Sequence, residues 1–290
     1  MKTQWENFLQ NLGEWHGSFT KISDKLAILQ DRPSILILEG LDDQNKRVRL
    51  TLRRFNSFVK NPESKADEIV IEYNTTDQNI LYFENGAFSR GIMKITPFSR
   101  CVTEFCLINK NRRLRLVEFF NQDGNFDKLI LIREKRAGTD ALENPPLTVD
   151  DLLGKWQGEA ITMYPDLREP NTYTTQMELN IDNTGRLVQE ITFGDQNPTI
   201  ITSSAIIEGS ILHFDQSSQP VKVLLLPDGA SATLPVKVEL RKPLFFELGW
   251  LVEPQLRQRI IRSYNDKGEW VSSTFVTEQK FNKKKFCDVT

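Results

Sequence analysis

Gly13-Glu14-Trp15-His16-Gly17 recurs as Gly154-Lys155-Trp156-Gln157-Gly158, and the repeat divides the chain in two. The copies begin 141 residues apart in a sequence of 290. Each follows a short apolar run: Trp5, Phe8, Leu9 and Leu12 before the first, Val149, Leu152 and Leu153 before the second. A second match comes later in the same order, where residues 115–126 align with 259–270 at an offset of 144. Two matches at nearly one offset argue for a duplicated domain. The division expected is a first domain over 1–137, a linker over 138–147, a second domain over 148–280 and a disordered tail over 281–290. Domains of roughly 140 residues are long enough to bury a core without disulfides or metals.

Composition narrows the function classes. Thirty-seven basic residues against 39 acidic ones leave a net charge of −2, so no basic field draws nucleic acid. Three cysteines, an odd count, exclude a complete disulfide framework and read as reduced thiols. Cys101 and Cys106 have no metal-ligand companions, and Cys287 sits in a basic tail. Polar residues interrupt the apolar run 5–12, so no signal peptide is expected within it, and no run approaches the ~20 residues of a membrane span. The expectation is a soluble protein of the cytoplasm or of a plastid stroma.

Residues 3–12 carry apolar side chains at helical spacing, and Thr148 with Asp151 resembles the capping box of a second short helix. From Gly13 the period changes to two. In 47–53, Val48, Leu50 and Leu52 share one face while Arg47, Arg49, Thr51 and Arg53 share the other. One dry and one wet side indicate an antiparallel sheet. Short strands continue to 133 and again from 158 to 277, separated by turn residues such as Asn85-Gly86 and Asp123-Gly124. This pattern predicts all-β barrels or sandwiches, and barrels leave no exposed edge.

Glycine, one residue and tryptophan after a short helix resembles the opening of the calycins, the superfamily of lipocalins and fatty-acid-binding proteins. That resemblance implies two tandem calycin-like antiparallel β-barrels, each preceded by a short helix. It makes Gly13, Trp15, Gly154 and Trp156 the barrel-closing residues and lays a late-strand arginine over each indole. Residues 249–262, which hold Trp250, Arg257 and Arg259, are similar to a strand pair of the S/U-type phycobiliprotein bilin lyases. Residues 105–115 echo it with Arg113 and Arg115. As a whole the chain resembles a two-barrel cyanobacterial and plastid family. The resemblance implies a bilin or other tetrapyrrole as ligand and a phycobiliprotein as partner.

Arg113 with Arg115, and Arg257 with Arg259, are spaced to share a strand face. Turned inward, each pair could grip a ligand carboxylate such as a propionate through bidentate bonds. Alternatively, one arginine of each pair covers the tryptophan and the other stays in water. Leu114 and Leu116 on the opposite face favour outward arginines in the first domain. An inward pair needs an acidic partner or a ligand. The two histidines, His16 and His213, lack companions at ligand spacing, so neither a metal site nor a catalytic role is expected. No nucleophile elbow, phosphate loop or dinucleotide fingerprint appears. Tyr73, Tyr82, Phe83, Phe88 and Phe98 in the first domain, and Phe245, Phe246 and Trp250 in the second, line a cavity or fill the core. The leading reading is a non-enzymatic binding protein for a small apolar or tetrapyrrole-like ligand, with Arg257, Arg259, Trp250, Arg113 and Arg115 as ligand contacts. The alternatives are a bilin lyase or chaperone and an interaction module with filled barrels.

Overall fold

The computed structural model describes residues 2–56 and 66–281. The tail expected to be disordered, and with it Cys287, lies outside the described residues apart from Phe281. The chain divides into two compact units, one built on the residues up to Glu143 and the other from Asn144 onward. Among the described residues, no helix is long and apolar enough to cross a membrane.

Nearly all regular structure is β. The first unit opens with helix α1 (Gln4–Phe8) and a 3-10 turn, then runs through β1 (Gly13–Ser23), β2 (Ile28–Gly40), β3 (Val48–Arg54) and β4 (Asp67–Tyr73). It continues with β5 (Ile80–Tyr82), β6 (Phe88–Gly91), β7 (Cys101–Asn109), β8 (Arg112–Phe120) and β9 (Phe126–Arg136). The second repeats the plan with α2 (Val149–Leu152), β10 (Gly154–Met163), β11 (Asn171–Ile181), β12 (Leu187–Phe193), β13 (Thr199–Glu208) and β14 (Ile211–Phe214). It ends in β15 (Val221–Leu225), β16 (Ala230–Pro235), β17 (Leu244–Glu253), β18 (Leu256–Tyr264) and β19 (Trp270–Phe281). Both helices start at the expected kind of cap. Thr3 with Glu6, and Thr148 with Asp151, form reciprocal capping boxes that satisfy orphan amides of the first turn.

The second sheet closes as a ten-stranded barrel in which consecutive strands are neighbours. The first is a nine-stranded half-barrel in the order β4-β3-β2-β1-β9-β8-β7-β6-β5, and its end strands are not paired with each other. Closure, expected of both, is therefore complete in one. Side chains protect the open ends instead. Gln4 of α1 accepts from the Tyr82 amide at 2.7 Å and donates to the Tyr82 carbonyl at 3.1 Å, so the edge of β5 is capped there. Along β4, Asp67, Glu68 and Glu72 pair with Arg32, Arg53 and Arg49, a charged edge that discourages stray pairing.

The repeated pentapeptide has the same physical role in both units. Trp15 is fully buried and donates its indole N–H to the Asn11 carbonyl at 3.0 Å; Trp156, also buried, donates to Leu152 at 2.9 Å. Each tryptophan packs in a core cluster with residues of the helix before it. Gly13 and Gly154 sit at φ +120° and +108°, where an L side chain is strained. Gly17 and Gly158 bring β1 against β9 and β10 against β19. A Cβ there would come within 2.8 Å of Glu134 and Glu278 respectively.

The segment expected as a linker is held at its far end. Asn144 donates its amide to Asp228, Pro145 accepts from Gly229 and Leu147 donates to Leu226, all within the second unit.

Candidate ligand-binding site

The closed barrel surrounds a cavity of about 680 Å³. Apolar side chains of β11 to β15, among them Met177, Ile191, Ile201, Phe214 and Val223, form one wall. The facing wall carries a polar cluster, Arg257 and Arg259 on β18, Glu247 on β17 and Thr233 on β16, beside Phe245, Ile261 and Val276. The rim at Thr202, Gln216 and Ser217 is exposed. A volume of this size with one polar edge falls within the range of small-molecule sites.

Both arginines of the second pair face this cavity, and neither waits for an acid. Arg259 lies 3.2 Å from Glu247 and 3.2 Å from Glu278, while Arg257 reaches Glu278 at 3.4 Å and Glu247 at 3.9 Å. All four side chains are buried. Burial disfavours the charge on Arg259, and the two glutamates more than restore it, so its pKa rises. Burial prevails at Arg257, whose carboxylate contacts are longer, and its pKa falls. Arg257 also reaches Ser231 Oγ at 3.4 Å and lies against the backbone of Gly249. A Cβ at Gly249 would stand 2.9 Å from its Nη2.

The first unit has the same quartet. Arg113 meets Glu134 at 2.7 Å, and Arg115 meets Glu134 at 3.0 Å and Glu104 at 3.3 Å. Burial pushes the Glu134 carboxyl up, but the two guanidiniums more than reverse this and hold it at about 2. Arg113 lies 4.3 Å from the Trp15 ring centroid, and Arg136 lies 4.1 Å from it. Beside Trp156 the corresponding cation is Lys280, at 5.2 Å. The cavity here is about 230 Å³, with Tyr73, Tyr82, Phe88 and Arg90 on its wall.

Three expectations need correction. Arg113 and Arg115 point inward, although Leu114 and Leu116 are fully buried on the other face. Both faces of β8 are covered, so burial of one face says nothing about the other. Trp250 does not contact the cavity. It shares the outward face of β17 with Phe246 and Leu248 and donates to the Asp228 carbonyl at 2.9 Å. Phe98 lies in a loop and is 82% exposed, so it lines nothing. Phe245 lines the second cavity while Phe246 is core, and Phe83 is buried off the first cavity.

Residues 1–139 match the family described as DUF3598, N-terminal, a domain of unknown function. A crystal structure of a DUF3598-family protein of unknown function from Nostoc punctiforme is 50% identical, with a TM-score of 0.89. The match covers 97% of this chain and all of that one. The chain belongs to the DUF3598 family. Residues 143–281 of this DUF3598 protein match the C-terminal domain of biogenesis factor required for ATP synthase 1. The S-type phycobiliprotein lyase of Guillardia theta matches at 12% identity over 47% of this chain and 91% of its own, with a TM-score of 0.35. No curated protein sequence matches.

Sequence reasoning asked for acids beside the arginines of the DUF3598 chain without naming them. Glu134 and Glu278 are separated by the same 144 residues as Arg115 and Arg259, and Glu104 and Glu247 by 143. That shared offset was the available signal. Away from the cavity, on the outward face of β8, Glu118 is fully buried and accepts from Thr103 Oγ1 at 2.7 Å. Burial pushes its carboxyl up to about 8. Cys101 and Cys106 are buried, and burial pushes the Cys106 thiol up to about 12. Among the described residues, no cluster of three or more potential ligands could hold a metal.

Proposed function

We propose that the protein binds a small apolar or tetrapyrrole-like ligand inside its second barrel, and that both units derive from a duplicated calycin barrel closed by Trp15 and Trp156. The observation that carries this reading is the 680 Å³ cavity with an apolar wall and a facing polar cluster. Arg257 and Arg259 stand in the polar cluster, while Arg113 and Arg115 belong to a tighter pocket with a supporting role. Bilin lyase chemistry finds less support. The arginines of the lyase-like motif are already engaged by Glu247 and Glu278. Native mass spectrometry of the protein purified from a photosynthetic host tests the proposal. A bound small molecule is expected, and it should be lost in the Thr233→Phe variant, which puts a larger side chain on the cavity wall. If biliverdin, phycocyanobilin and fatty acids all leave tryptophan fluorescence and Tm unchanged, the binding reading is wrong.

One observation favours a second reading. The match of residues 143–281 to a biogenesis factor for ATP synthase supports a role in assembling that complex. Deleting the gene in its host should then lower assembled ATP synthase on native gels. Unchanged assembly would remove this reading and leave ligand binding intact.

A further inference from the structure

Resting on the ligand-binding reading, we infer that the second cavity selects an uncharged polar group for its buried end and rejects a carboxylate there. The inference follows from a charge count. Among the described residues, the charged side chains on the cavity wall are Glu247, Arg257 and Arg259, and Glu278 lies directly behind them. Two guanidiniums and two carboxylates leave no net charge for a ligand to neutralise. A ligand carboxylate would be a third anion beside two cations already engaged in a low-dielectric site, and desolvating it would go uncompensated.

Neutral groups meet a different surface. Gly158 lies opposite Thr175 in one register and opposite Glu278 in the other, so Thr175 and the quartet stand at one level of the barrel. Gly158 between them has no side chain to separate the two. Thr233 continues the same belt, since it is opposite Glu247 on β17. Thr175 Oγ1 and Arg257 Nε are buried and without a hydrogen-bond partner, on residues only 6% and 5% exposed. The guanidinium N–H donates, and the hydroxyl can donate or accept. They suit an amide, lactam, alcohol or ketone, which can accept from Arg257 and exchange a hydrogen bond with Thr175. A carboxylate only accepts. A ligand that also carries carboxylates would leave them at the exposed rim by Thr202, Gln216 and Ser217.

The test uses the full chain, the uncharged fluorescent reporter 1-aminoanthracene and two competitors with one body, 2-naphthamide and 2-naphthoate, at a pH where the acid is ionised. The expected result is displacement by the amide at a concentration at least tenfold below that needed by the acid. Glu278→Gln leaves the quartet with one net positive charge and should shift the preference at least tenfold toward 2-naphthoate. Glu247→Gln gives the same charge change at a second position, should the first variant fail to fold. If the reporter binds but the wild type prefers 2-naphthoate, or treats the two alike, the inference falls while ligand binding stands. If neither reporter nor competitor binds, the binding reading falls and this inference falls with it.

Discussion

The two units share a buried tryptophan, a quartet and a strand plan, yet one holds about three times the internal space of the other. Strand register locates the difference. Arg115 lies opposite Cys106 and Arg259 opposite Gly249, which aligns the two sheets residue by residue. Across the next strand, Cys106 pairs with Phe88, whereas Gly249 pairs with Ser231. Glu104 pairs with Arg90, whereas Glu247 pairs with Thr233. One strand further, Tyr82 is opposite Phe88, whereas Leu225 is opposite Ser231. Where the compared positions differ, at Cys106, Phe88, Arg90 and Tyr82 against Gly249, Ser231, Thr233 and Leu225, the first unit has the larger side chain. Interiors are close-packed, so a few such exchanges decide between a filled barrel and a hollow one. Gly249 also lets Arg257 lie flat against the backbone, while Arg113 lies close to Trp15. A conserved plan thus supports two outcomes.

The comparison can be broken at its shared part first. If the quartets are equivalent, Glu134→Ala and Glu278→Ala each remove a carboxylate shared by two buried guanidiniums, leave one acid for both, and cost about 3–5 kcal/mol in urea unfolding. A cost confined to one variant would show that the quartets differ in role. Acid should act in the same direction at Glu134. Its folded pKa of about 2 lies below the usual 4.5, so its contribution is present above about 4.5 and is lost as pH falls toward about 2.

Glu118 has the opposite sign. Its folded pKa of about 8 lies above 4.5, so the stability of its neutral form is present below about 4.5 and is lost as pH rises through about 8. Glu118→Gln should stabilise the protein by about 1–3 kcal/mol at high pH and have little effect in acid, as read by Tm against pH. In the aligned second unit this position is Arg262. A smaller effect separates the two tryptophans. Trp15 has two guanidiniums within 4.3 Å, and Trp156 has one ammonium at 5.2 Å. Trp15→Phe should therefore cost more than Trp156→Phe by about 0.5–2 kcal/mol, and equal costs would show that the cations contribute nothing.

The all-β plan was legible because its signals are local. Period-two alternation, turns at Gly86 and Gly124 with φ +87° and +78°, and the Thr148 cap depend on neighbouring residues only. The direction of the arginines was not legible, because Leu114, Leu116 and Glu118 are buried on one face of β8 and Arg113 on the other. With both faces buried, alternation loses its meaning, and Trp250 was misplaced for the same reason. The unclosed first sheet was not read either, since the acidic residues Asp67, Glu68 and Glu72 of β4 mark an exposed strand face as readily as a free edge. The glutamates that satisfy the arginines sit on other strands, 19 to 21 residues away in the case of Glu134 and Glu278.

The central claim is that the second barrel is a container for a ligand, whereas the first unit, with about a third of its internal space, is too tight to be one. Its most direct measurement is the stoichiometry of 1-aminoanthracene binding by fluorescence titration, in the wild type and in Thr233→Phe, a substitution on the wall of the second cavity. The account predicts one site per chain, abolished by the substitution while the far-UV circular dichroism stays that of a β protein. Two sites, or one site that survives a phenylalanine at position 233, would contradict it.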